Sequence, residues 1–277
     1  MEQKKKNFNS SPLPFMGQKR KFLKEFKKAL NAYSPTATYV DLFGGSGLLS
    51  HTVKSIYPDA TVIYNDFDNF RERLDNINLT NQLITDLREI LKDYPKNKRI
   101  EGTYRDSVLN RIKTDNENGY VDFITISSSI LFSMKYVLSF EALEKETLYN
   151  CVRQSNYDAS GYLEGIEVVS SCYKELFDQF KNNSNTIFLV DPPYLSTDSS
   201  TYKGYWKLKD YLDVLEVLNG TNYFYFTSNK SSIIELCEWI ETKTPMSNPF
   251  NGSTTSTMNT TVTYNSGYTD IMIYKVV

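Results

Sequence analysis

The run Thr186-Ile187-Phe188-Leu189-Val190, followed at once by Asp191-Pro192-Pro193-Tyr194, constrains this chain more than any other stretch. An uninterrupted apolar run of that length reads as a strand buried on both faces, the condition of a parallel sheet covered by helices. Such a strand cannot continue through two prolines. Neither has an amide hydrogen, and each holds φ at about −65°. The turn is therefore stiff. It fixes an acid and an aromatic ring at the carboxyl edge of a sheet, where open α/β folds place their ligands.

The rest of the chain supports a sheet of this kind. Thr38 to Phe43 reads as a strand, Gly44-Gly45-Ser46-Gly47 as the tight turn after it, and Leu48 to Ile56 as a helix. Thr61 to Asp66 reads as the next strand, which completes a β-turn-α-β unit of a doubly wound fold. Ile166 to Ser170 resembles a return strand, Cys172 to Phe180 and Lys207 to Leu218 helices, and Tyr223 to Asn229 another buried strand. The tail, Thr260 to Tyr264 and Thr269 to Val276 around Asn265-Ser266-Gly267, reads as a hairpin. Between the halves, strand alternation is lost. Helical patterns cover roughly 70–92, 122–138 and 141–154, with Lys113 to Gly119 as a polar connection. The expected organisation is an α/β sheet domain from 1–69 and 166–277 with a helical insertion over 70–165. Residues 1–13 read as loosely attached.

Length and composition exclude several classes. The 277 residues, 40% hydrophobic, can bury a substantial core. No apolar stretch is long enough for a membrane span, and Met1 to Lys6 carries charge without the apolar segment of a signal peptide. Cys151, Cys172 and Cys237 are too widely spaced for a zinc site or a disulfide framework. A cytoplasmic protein with no metal and no membrane partner is expected. The net charge of −2 gives no global nucleic-acid signal.

The glycine turn lets the backbone approach a ligand closely. Asp66 ends the next strand, where an acid can hold both hydroxyls of a ribose, and Phe67 beside it can lie against an adenine. No lysine follows the glycines at P-loop spacing, and Asp41 before them disfavours a pyrophosphate. A cationic, ribose-bearing ligand fits better, and S-adenosylmethionine is one. His51 has no evident triad or metal partner and reads as structural.

These blocks together resemble the Dam-type, D12-class DNA adenine-N6 methyltransferases of bacteria and phages. Pro14 to Arg20 is similar to the family's amino-terminal cofactor loop, with Gln18 where many members have Gly or Asn. Asp41 to Gly47 is similar to its first cofactor motif, Asp66 to its ribose acid and Asp191 to Tyr194 to its catalytic motif. Fainter echoes are Val169 to Tyr173, Tyr202 to Trp206 and Phe226 to Asn229. The resemblance covers 14–68 and 166–277; the middle is alike only in being helical. It implies a Rossmann-like methyltransferase domain with a helical target-recognition region, acting on double-stranded DNA. It also implies site roles. Asp191, Pro192 and Tyr194 would be catalytic. Phe15, Lys19, Asp41, Phe43, Gly44, Gly45, Ser46, Gly47, Asp66, Phe67, Tyr173 and Asp191 would line the cofactor. Arg20, Arg105, Arg111, Lys113, Lys135 and Lys203 are candidates for DNA contact. Relatives with this fold act on cytosine N4, RNA or a glutamine side chain, and an inactive DNA-binding relative is a further alternative. The recognition sequence, and a phage, restriction or orphan setting, stay open.

Overall fold

The computed structural model describes residues 7–132, 135–195, 206–245, 247–263 and 266–277. Within them the chain divides into two compact units. The first draws on Met1–Ser10, Gln18–Asn69 and Leu163–Val277, the second on Ser11–Gly17 and Phe70–Tyr162.

The first unit is a seven-stranded sheet in the order β3-β2-β1-β4-β5-β7-β6. Its strands are β1 (Thr38–Asp41), β2 (Thr61–Asn65), β3 (Glu167–Val169), β4 (Thr186–Val190), β5 (Asn222–Ser228), β6 (Thr254–Thr263) and β7 (Ser266–Lys275). The first five run parallel, and β7 pairs antiparallel with both β5 and β6. The predicted doubly wound α/β sheet with a C-terminal hairpin is what forms. The hairpin starts earlier than its turn residues indicate, at Thr254. Helices α1 (Leu23–Leu30), α2 (Leu48–Ile56), α8 (Tyr173–Phe180), α9 (Leu208–Leu218) and α10 (Ile233–Lys243) belong to this unit. The last was not expected from sequence.

Successive residues of β4 enter different cores, which is why its sequence shows no alternation. Ile187 and Leu189 pack with Phe26, Tyr39, Tyr64 and Phe224. Phe188 and Val190 pack with Val40, Ile63, Val214 and Tyr225. Edge-to-face aromatic contacts reinforce the first core, with the Phe26 and Phe224 ring centroids 4.8 Å apart.

The second unit contains α3 (Phe70–Asp75), α4 (Ile77–Ile90), α5 (Gly102–Asn118), α6 (Phe123–Ile130) and α7 (Phe140–Leu143). Three expectations are corrected here. Lys113 to Asn118 is the last part of α5 and not a connection. The helix expected over 122–138 stops at Ile130. Only Phe140–Leu143 of the next segment is helical, and Tyr149 instead forms an isolated bridge with Arg99. Within α5 only Val108, Leu109 and Ile112 are buried, while Arg111–Asp115 and Lys113–Glu117 form i,i+4 ion pairs along it.

The loose amino terminus is a fourth correction, for residues 7–13. Phe8 and Leu13 are buried. The Phe8 amide donates to His51 Nε2 at 3.2 Å, and the two rings meet edge to face at 5.3 Å. His51 thus anchors Phe8, in keeping with a structural role.

Candidate active site

The site grows from three neighbouring strand ends. In the order β2-β1-β4, Asp41 ends β1 in register with Tyr64 and Leu189, Asp66 follows β2, and Asp191 follows β4. Parallel strands bring their carboxyl ends to one edge, so acids far apart in sequence share it.

The glycine turn is shaped by close approach. Gly47 N–H donates to the Gly44 carbonyl at 2.7 Å. Gly47 caps α2 at φ +70°, a left-handed conformation that favours glycine. At Gly44 the constraint is space. A Cβ there would lie 2.2 Å from the Tyr64 ring and 2.9 Å from the Asn65 carbonyl oxygen. The Tyr64 hydroxyl lies 2.7 Å from the Gly45 carbonyl and 3.1 Å from Asp66 Oδ1, and it shares its one hydrogen between them. Asp66 is buried, while Phe67 next to it is half exposed.

Asn65 was missed in the sequence. Its side-chain Nδ2 donates to the carbonyls of Leu42 and Ser171, each at 3.0 Å, and its Oδ1 accepts from the Ser171 amide at 3.0 Å. One amide side chain thus joins the loops after β1, β2 and β3. A buried polar residue just before a strand-end acid is the only local signal for it.

Asp41 is 1% exposed. Its Oδ2 accepts from Ser50 Oγ at 2.7 Å, and its Oδ1 has no hydrogen-bond partner among the described residues. Burial raises its pKa to about 7, and the charge of Asp191 adds to the rise. Ser50, the Phe43 amide and Lys19 oppose it, although the amide does not complete a hydrogen bond to Oδ1. A buried, partly unsatisfied carboxyl is costly unless something polar completes it.

Asp191 pairs with Lys19, Nζ to Oδ2, at 2.5 Å. Burial pushes its pKa up and the lysine pulls it back. The same ammonium lies 5.4 Å from the centroid of the Tyr194 ring. Pro192 and Pro193 are buried, so the turn is held by packing as well as by its fixed φ. Beside the glycine turn, the Phe43 ring meets Tyr173 at 4.9 Å and Trp206 at 5.7 Å, forming an apolar wall.

The structure therefore brings Lys19, Asp41, Asp191 and Tyr194 together, and Gly44, Gly45 and Asp66 around Tyr64. Ser46 is buried in the same turn. Phe15 lies in the helical unit, edge to face with Phe70 at 5.6 Å. Of the DNA candidates, Arg105, Arg111 and Lys113 lie on α5. Arg20 is exposed in the sheet unit. Arg111 is engaged by Asp86 and Asp115, Arg105 by the Glu144 carbonyl, Lys113 by Glu117 and Lys135 by Glu146. Lys203 lies outside the described residues. Among the described residues no cluster of metal-ligating side chains forms, and no helix is long and apolar enough to cross a membrane.

A mostly parallel sheet with β7 reversed, and with acids and a glycine turn along one edge, is consistent with a Rossmann-like methyltransferase fold. The family model of the D12 class N6 adenine-specific DNA methyltransferases matches residues 15–230, and the chain belongs to that family. It is also 40% identical over 280 residues to a Haemophilus influenzae protein provisionally named a methyltransferase, across 98% of this chain and 94% of that one. Methyltransferases of this kind generally use S-adenosylmethionine.

Proposed function

We propose that the chain methylates the N6 amine of an adenine flipped out of double-stranded DNA. The observation that carries this reading is Asp191 on its proline-stiffened turn, one strand away from the buried, incompletely bonded carboxyl of Asp41. S-adenosylmethionine, when bound, supplies an electrophilic methyl group on a sulfonium. The residues fit such a ligand. The open Oδ1 of Asp41 suits its cationic end and Asp66 its ribose hydroxyls, while the bare Gly44 lets the turn close against Tyr64.

The remaining chemistry belongs to the chain. An adenine amine is a poor nucleophile because its lone pair is delocalised into the ring. Asp191 and the Pro192 carbonyl would each accept one of its hydrogens, drawing the nitrogen toward tetrahedral geometry. This is orientation with electrostatic preorganisation. On receiving the methyl from the sulfonium, which would leave as a neutral thioether, the nitrogen would become cationic beside the Asp191 carboxylate. It then gives up one proton, through Asp191, to solvent. Flipping the base costs a few kcal/mol, and stacking on Tyr194 would return about 1–3 kcal/mol. Phosphate contacts from exposed cations such as Arg20 would make binding salt-dependent. The helical unit is assigned to target recognition.

Tritium transfer from labelled S-adenosylmethionine to DNA tests this directly. Wild type should label adenine-containing duplexes, and Asp191→Ala should lower the rate by about 10²–10⁴-fold. Failure of wild type to label DNA of any sequence would sink the proposal.

A further inference from the structure

The Lys19–Asp191 pair is more confined than an ordinary ion pair. The two side chains are 10% and 18% exposed, and the ammonium sits 5.4 Å from the Tyr194 ring centroid and 5.9 Å from that of Phe226. A long, flexible cation is held between two rings with its head on one carboxylate oxygen, Oδ2.

The surroundings explain what that cation does. An ionised carboxylate accepts hydrogen bonds at both oxygens, whereas protonation turns one of them into a donor. Around Asp191, burial favours the protonated form and Asp270 of β7 favours it further, while Lys19 opposes both, by charge and by hydrogen bond. Asp41 at the end of β1 interacts with both Asp191 and Lys19. Tyr225 of β5 lies in the field of Asp191 and Tyr194, and Tyr268 of β7 in the fields of Asp270 and Lys19. The set holds three carboxyl groups; Lys19 is the cation on Asp191, and Lys230 lies 5.2 Å from the centroid of the Tyr268 ring.

We propose that Lys19 is a positioning residue for the methyl-accepting amine: its ammonium keeps Asp191 ionised and ties down Oδ2, leaving Oδ1 and the Pro192 carbonyl for the amine's two hydrogens. This rests on the reading of Asp191 as the amine acceptor. It also gives β7 a part in tuning the site. Asp270 lies beyond the residues that the family model matches.

The test is the titration of the Asp191 carboxyl carbon by ¹³C NMR in the ligand-free, full-length chain, assigned by difference against Asp191→Asn. In Lys19→Gln the midpoint should rise by about one pH unit or more. Lys19→Arg should restore it, and Asp270→Asn should move it down. The acid limb of kcat for DNA methylation should shift in the same directions. A midpoint unmoved in Lys19→Gln overturns the proposal, as does a loss of kcat uniform across pH. A chain that titrates as expected but labels no DNA overturns the amine assignment alone and leaves Lys19 as the counterion of Asp191.

Discussion

The two units handle buried charge in opposite ways. In the helical unit, Arg73 and Asp122 are paired at 3.0 Å with side chains 9% and 2% exposed. Arg73 also donates to the Pro14 carbonyl at 2.8 Å and to Thr125 Oγ1 at 3.2 Å. Asp122 caps α6, accepting from the Thr125 amide at 3.1 Å and from its hydroxyl at 2.5 Å. Both carboxylate oxygens are occupied. At the edge of the sheet, Asp41 is as deeply buried and keeps an oxygen open. A closed network fixes a scaffold, and an open one leaves a place for a ligand.

Three experiments probe that contrast, from the largest expected effect to the smallest. Arg73→Met strips the closed network of one partner and strands Asp122. Stability should fall by about 3–5 kcal/mol, read from the urea unfolding midpoint. Removing both charges in Arg73→Met with Asp122→Leu should cost much less. An Arg73→Met chain as stable as wild type would abolish the distinction.

Gly44→Ala tests the turn beside the open carboxyl by crowding it against Tyr64. The added methyl meets a fully buried tyrosine ring, so about 1–3 kcal/mol of stability should be lost. S-adenosylmethionine affinity, measured by calorimetry, should fall with it. Unchanged values in both would show that the turn needs no bare backbone.

Asp41→Asn is the gentlest. The native pKa of Asp41 is raised to about 7 from an ordinary value of 3.8. In that window the folded chain holds a proton that the unfolded chain has released, so stability falls as pH rises from about 4 to 7. The asparagine variant of the ligand-free chain should lose that slope, and denaturant midpoints taken across the window will show it. A slope retained in full would place its origin at another group.

The legibility of the molecule in its sequence follows the same division. The strand Thr186–Val190 could be read because both its faces are buried, and its acid could be read because prolines stop it. Asp66 was visible as a polar residue ending an apolar strand, and Asp41 through the glycine turn after it, although its strand was read on to Phe43 and stops at Asp41. The partners that give them their character were not. Asn65 and Ser171 meet only when β2 lies between β1 and β3, a long-range fact with no local trace. Arg73 and Asp122 lie in different helical segments and carry no motif. α5 was not read as a helix at all, because its final turns are polar and its burial rests on three residues.

The Asn65 clamp has a kinetic consequence. Because one amide side chain holds Leu42 and Ser171 together, the loops flanking the glycine turn cannot open separately. A ligand arriving there finds those two loop ends already joined, so their ordering adds no step to its capture.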